Sequence, residues 1–227
     1  MPEPFAVKDC TLITISTGRH ARNLRELSMH LQDVHIGAVY QHFWGGRMQA
    51  SFDEPEFQND FAGWVRHAIH DDELSERLGI LDPTNFPDLE ALRTEILNLI
   101  DERLSTVQHI SWAQADQPFS FNRSQIVIYD TRVRIARPED FCRHASEFAT
   151  GTVFYHFIDA RRRPPIGEDD FRAWLSEWGA SYYGLRVRLA EIDPYFKSLT
   201  ELKERLVEVF NEYLPAVNKR KNARHTR

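Results

Sequence analysis

Gly37-Ala-Val-Tyr40-Gln-His42-Phe43 returns 114 residues later as Gly151-Thr-Val-Phe154-Tyr155-His156-Phe157, and this return organises the whole chain. At the same shift Pro4-Phe5 falls on Pro118-Phe119, Thr17 on Thr131, His30 on His144 and Arg47 on Arg161. A shift of 110 then carries Asp60-Phe61-x-x-Trp64 onto Asp170-Phe171-x-x-Trp174, and Leu89, Leu92, Ile96, Leu99 and Leu104 onto Leu199, Leu202, Leu206, Val209 and Leu214. Chance does not hold one register for so long. The pattern predicts a tandem internal duplication with pseudo-two-fold symmetry: one half over 4–106, a connector over 107–117, a second half over 118–215, and a basic, disordered tail over 216–227. The two halves are expected to form one compact unit.

Each half reads as one strand followed by helices. Leu12-Ile-Thr-Ile15 and Gln125-Ile-Val-Ile-Tyr129 are β-rich runs and place strands over 5–16 and 119–130. Helical spacing of apolar residues marks 22–31, 56–68 and 88–104 in the first half, and 138–147, 168–178 and 198–214 in the second. The aromatic segments around His42 and His156 suit a short buried helix better than a strand. The fold class is α+β, predominantly helical, with a minor β-sheet.

Composition narrows the function. The 227 residues carry a net charge of −6, are 42% hydrophobic and contain two isolated cysteines, Cys10 and Cys142. No apolar run is long enough to span a bilayer, and no secretory leader is visible. A cytoplasmic protein without a disulfide framework is expected. The last nine residues hold five Lys or Arg and no acid, so the remaining chain is more acidic still. A nucleic-acid footprint spread over the fold is therefore not expected.

The chemistry-bearing candidates follow from the repeat. His42 and His156 sit in aromatic clusters, and Asp60 and Asp170 are natural partners that would orient an imidazole in a structural or a catalytic role. Tyr40, Trp64, Tyr155 and Trp174 are candidate ligand contacts. Arg19, in the Ser16-Thr-Gly-Arg-His20 junction between strand and helix, has the ingredients of a phosphate site at a helix N-terminus. Arg47 and Arg161-Arg162-Arg163 follow the histidine segments and suit phosphate or carboxylate. His67 and His70 lie at helical i, i+3 spacing, but no third ligand accompanies them, so no metal and no cofactor is expected.

Leu24-Arg-Glu-Leu27 followed by Gly37-Ala-Val-Tyr40-Gln-His42-Phe43 resembles the helix-turn-helix of tetracycline-repressor-type regulators, which implies a DNA-reading helix. Over nearly the whole chain, the Pro-Phe strand, Tyr40-x-His42-Phe43-Trp44, Asp60-Phe61-x-x-Trp64 and Phe154-Tyr-His156-Phe157 are similar to an uncharacterised prokaryotic family, a domain of unknown function. Members of that family are often encoded near glycosyltransferases of trehalose or sucrose metabolism. The favoured expectation is a non-catalytic accessory or regulatory module that binds a small anionic or sugar-phosphate ligand, or a protein partner such as a glycosyltransferase. The alternatives are a hydrolase or isomerase using His42 or His156 with Asp60 or Asp170 as acid, base or metal site, and a DNA-binding regulator.

Overall fold

Residues 2–48, 56–107, 113–163, 167–195 and 197–225 are described by the computed structural model. Residues 164–166, residues 108–112 of the expected connector and the last two residues of the tail lie outside the described residues.

The order is β1 (Phe5–Ala21), α1 (Leu24–Asp33), α2 (Gly37–Trp44), α3 (Asp60–Trp64), α4 (Asp72–Gly79), α5 (Leu89–Thr106), β2 (Phe119–Ile135), α6 (Phe141–His144), α7 (Thr150–Val153), α8 (Asp170–Ser176), α9 (Tyr183–Ala190) and α10 (Leu199–His225). The fold is mostly helical, and its sheet is the antiparallel pair β1 and β2. Side chains cap the helices where the sequence supplies Asn, Asp or Ser. Asn23 accepts from Glu26 N, Asn59 from Ala62 N, Asp88 from Ala91 N and Asp169 from Arg172 N, each at 2.8–2.9 Å. Ser198 and Glu201 form a reciprocal capping box at the start of α10. The backbone of α10 continues through His225, into the basic segment whose composition reads as disordered.

Two compact units divide the chain. One is residues 12–126; the other is residues 1–11 together with 127–227. Each unit contains a piece of both strands. In the first, Thr17 Oγ1 donates to Phe121 O at 2.6 Å; in the second, Thr131 Oγ1 donates to Val7 O at 2.6 Å.

Both strands are longer than the sequence reading. Gly18, in the stretch the sequence reads as the junction between strand and helix, lies within β1 at φ +72°, and Arg132 lies within β2 at φ +65°. A hydroxyl one residue earlier absorbs each irregularity: Thr17 Oγ1 accepts from Arg19 N and Thr131 Oγ1 from Val133 N. The backbone kinks without ending the strand.

Each unit has its own apolar core. In 12–126 it is built from Leu24, Leu27, Phe43, Phe61, Leu92, Ile96 and Phe121; in the other, from Phe5, Phe141, Phe157, Phe171, Leu202 and Phe210. Burial of a side chain of this size contributes roughly 1.5–3 kcal/mol.

Candidate functional site

In the unit 12–126, helix α2 buries His42 to 4% exposure. Its Nδ1 lies 2.8 Å from Asp60 Oδ2 at the start of α3, and its Nε2 accepts the Asn122 amide of β2 at 3.2 Å. Phe119 leans on the imidazole at 4.7 Å and stacks on Phe61 at 5.1 Å. One turn further along α3, Trp64 Nε1 donates to Gln117 O at 2.7 Å.

The other unit repeats the arrangement with different residues. His156, in the π-helical turn Phe154–Ile158 that continues α7, meets Asp170 Oδ2 at 2.7 Å through Nδ1 and accepts the Lys8 amide of β1 at 2.9 Å through Nε2. Phe5 lies 4.8 Å from the imidazole and stacks on Phe171 at 5.4 Å, while Trp174 Nε1 donates to Glu3 O at 2.7 Å. Both His–Asp pairs named from the sequence are thus brought together, each within its own unit.

These contacts set the protonation state. A backbone N–H can only donate, so Nε2 of each ring carries a lone pair and Nδ1 carries the proton given to the aspartate. Both nitrogens of each ring are committed inside the fold. Neither can take a proton from a substrate without releasing its strand. Burial, helped by Arg163 and Lys8, pushes the His156 pKa below the ordinary histidine value despite the opposing pull of Asp170.

The aspartates differ in what else they meet. Asp170 Oδ2 also accepts Arg163 Nη2 at 3.0 Å, and that guanidinium lies 4.2 Å over the Tyr155 ring and bonds Tyr155 O and Oη. Arg162 pairs with buried Asp159. Arg161 sits 4.5 Å over Phe157, donates to Phe157 O and lies 3.6 Å from buried Asp169, which Arg172 also holds at 2.6 Å. The three arginines singled out for anion binding therefore sit among three carboxylates of their own unit. Asp60 bonds His42, and its side chain is 55% exposed against 30% for Asp170. It opens on a cleft of about 330 Å³ lined by Glu56, Phe57, Asn59, Asp60, Gly63, Trp64 and His67.

The other expected sites are arranged differently. Arg19 lies within β1, not at a helix N-terminus, and the start of α1 is satisfied by Asn23 and by Glu26, which accepts Arg22 N at 2.8 Å. An anion there would meet a carboxylate instead of free amides. His67 and His70 do not share a helical face: His67 is in the π-helical turn Val65–Ile69 and pairs with Glu56 at 3.2 Å, whereas His70 ends that turn at φ +61° and pairs with Asp116 at 2.7 Å. No group of three metal-binding side chains occurs among the described residues. The helix resembling a DNA-reading element is α2, whose residues 38–44 are all buried, as are Thr152–Ile158. A helix enclosed in the core cannot enter a groove, so this expectation is corrected. Tyr40 is buried as well, at 4% exposure, and Arg47 lies over the Trp44 ring at 5.4 Å.

Sequence reasoning overlooked the Lys8 and Asn122 amides and the buried acids Asp159 and Asp169. The matched Phe5 and Phe119, each three residues before its amide, were the available signal. Cys10 is buried, donates to Gly151 O at 3.3 Å and has its thiol pKa pushed up to about 12 by desolvation, then by Asp9 and Asp159. It is a structural thiol, not a nucleophile.

The chain belongs to the DUF5752 family, a family of unknown function, which it matches over residues 2–211. No curated protein matches it. Its fold is similar to that of OrfY from Thermoproteus tenax, at 24% identity and a TM-score of 0.78, covering 94% of this chain and 97% of that one. Among the described residues no helix is long and apolar enough to cross a membrane.

Proposed function

We propose that this protein is a non-catalytic accessory or regulatory module that binds a small ligand or an enzyme partner, such as the glycosyltransferase its family resemblance implies. One observation carries the reading: in both His–Asp pairs the imidazole is spent on a strand amide and a carboxylate, which suits a clamp and leaves no ring nitrogen for general acid–base work. An internal duplication belongs to the same reading, supported by contacts that recur at shifts of 114 and 110. Each of Arg161, Arg162 and Arg163 already meets an aspartate of its own unit, so the exposed Asp60 cleft is the better candidate for contact.

A thermal-shift screen of sugar phosphates, nucleotide sugars, carboxylates and organic cations tests the reading. A ligand at 100 times its dissociation constant should stabilise the fold by about 2.7 kcal/mol. Steady turnover of any substrate, abolished by His42→Gln or His156→Gln in a folded protein, would overturn it.

A further inference from the structure

We propose that the cleft in front of Asp60 receives a guanidinium group, presented by an arginine side chain of a protein partner. The inference rests on the binding-module reading and gives that module its ligand chemistry.

The unit holding His156 supplies the template. There the dyad carboxylate takes an imidazole N–H and a guanidinium together, with Arg163 held at 3.0 Å from Asp170 and lying over the Tyr155 ring at 4.2 Å. In the unit holding His42 the carboxylate has the same imidazole, but the residues matched at a shift of 114 to Arg163 and Tyr155 are Gln49 and Gln41. The cation and its aromatic platform are absent from this copy of the sequence. Among the described residues Asp60 meets His42 alone, and no guanidinium shares its carboxylate as Arg163 shares that of Asp170.

The cleft complements what is missing. Glu56 adds a second carboxylate, shared with Arg66 at 3.8 Å and His67 at 3.2 Å. Trp64 is an aromatic wall on which a planar cation can stack. A Cβ added at Gly63 would meet no atom within 4 Å, so that side stands open. With Glu56 already shared, it is the Asp60 carboxylate beside the indole that favours a cation over an anion. The fork geometry of guanidinium suits an oxygen pair better than a point-like ammonium does. The volume of about 330 Å³ accommodates a side-chain terminus.

The test titrates the full chain with N-acetyl-arginine amide, N-acetyl-lysine amide and methylguanidinium, followed by calorimetry and by the Trp64 indole N–H resonance. The arginine amide should bind most tightly and shift that resonance. Asp60→Asn, which keeps an acceptor for His42, should weaken it about tenfold, the loss of one charge-assisted contact. Gly63→Leu, which adds bulk into open space on a helix, should weaken it similarly without altering charge. Asp170→Asn should leave binding unchanged. Equal affinity in wild type, Asp60→Asn and Gly63→Leu would overturn the proposal, as would lysine amide binding as well as arginine amide. Methylguanidinium binding more tightly than the arginine amide would overturn the assignment to a protein side chain. If an anion binds the chain while every guanidinium probe fails, this inference falls and the binding-module reading stands.

Discussion

The two dyads make one clamp and finish it differently. At His156 the carboxylate is covered by Arg163 and the ring is sealed by Phe5, Phe171 and Tyr155. At His42 the ring is sealed in the same manner by Phe119 and Phe61, but Asp60 remains more than half exposed. The imidazole is thus needed in both places to hold a strand amide, whereas the fate of the carboxylate is a separate matter. Unit 12–126 keeps an opening that the other unit closes with its own arginine.

The strand approach at the second clamp is also the tighter one. A Cβ at Gly151 would sit 2.2 Å from Cys10 O, whereas at Gly37 the nearest atom is the His35 ring at 3.0 Å. Gly151→Ala should therefore cost about 3 kcal/mol, the upper end of overpacking, because backbone must move. Gly37→Ala should be about neutral, since the His35 ring can swing away and alanine gains up to about 1 kcal/mol in helix propensity. Equal costs in denaturant melts would mean that the two approaches do not differ.

Replacing the rings comes next in size. His42→Phe and His156→Phe each orphan a strand amide and should each cost about 2 kcal/mol. Unchanged stability in either would break the idea of a shared clamp.

A smaller effect separates the dyads by pH. Because the folded His156 pKa is depressed, the unfolded chain binds more protons near and below the ordinary histidine value of about 6.5. Its contribution to stability is fully present above that value and is lost as pH falls toward the folded pKa, at no more than about 1.4 kcal/mol per pH unit. Asp170, Arg163 and Lys8 are the charges facing the ring. His156→Phe should remove this part of the acid slope in melts between pH 7 and pH 5; an identical slope in the variant would remove His156 as its source.

The smallest contrast is at the carboxylates. Asp170→Asn weakens the hold on Arg163, which retains Asp159 at 3.6 Å, and should cost about 1 kcal/mol. Asp60→Asn, at an exposed carboxylate, should cost less than about 0.5 kcal/mol. The reverse order would mean that Asp60, not Asp170, carries the larger structural burden.

Much of this was legible in the sequence where residue types repeat. Asp60-Phe61-x-x-Trp64 and its match put a carboxylate, a core aromatic and an indole at the first, second and fifth positions of α3 and α8, and the histidine pairing followed from the two registers. What did not follow was which strand each pair would hold. Phe5 opens the chain yet packs on Phe171, and Phe119 packs on Phe61. Periodicity reports the face an element buries, not the element it is buried against. The arginines misled for a related reason: composition shows Arg161–Arg163 as a positive cluster, but Asp159 meets Arg162 and Arg163 within their own turn, and Asp169 and Asp170 reach Arg161 and Arg163 from the start of α8. Gly18 suggested the end of the strand because a glycine at a strand kink and one at a strand end have the same sequence signature. The short helices α4 and α9 were missed because their apolar positions span barely two turns.

The clamp itself is tested most directly by long-range ¹H–¹⁵N spectroscopy of the histidine rings at neutral pH. The account predicts that His42 and His156 both show a protonated Nδ1 and an unprotonated Nε2, each ring correlated across its hydrogen bond with the Asn122 or Lys8 amide. A protonated Nε2 in either ring would mean that the strand amide is not held there, and would contradict the account.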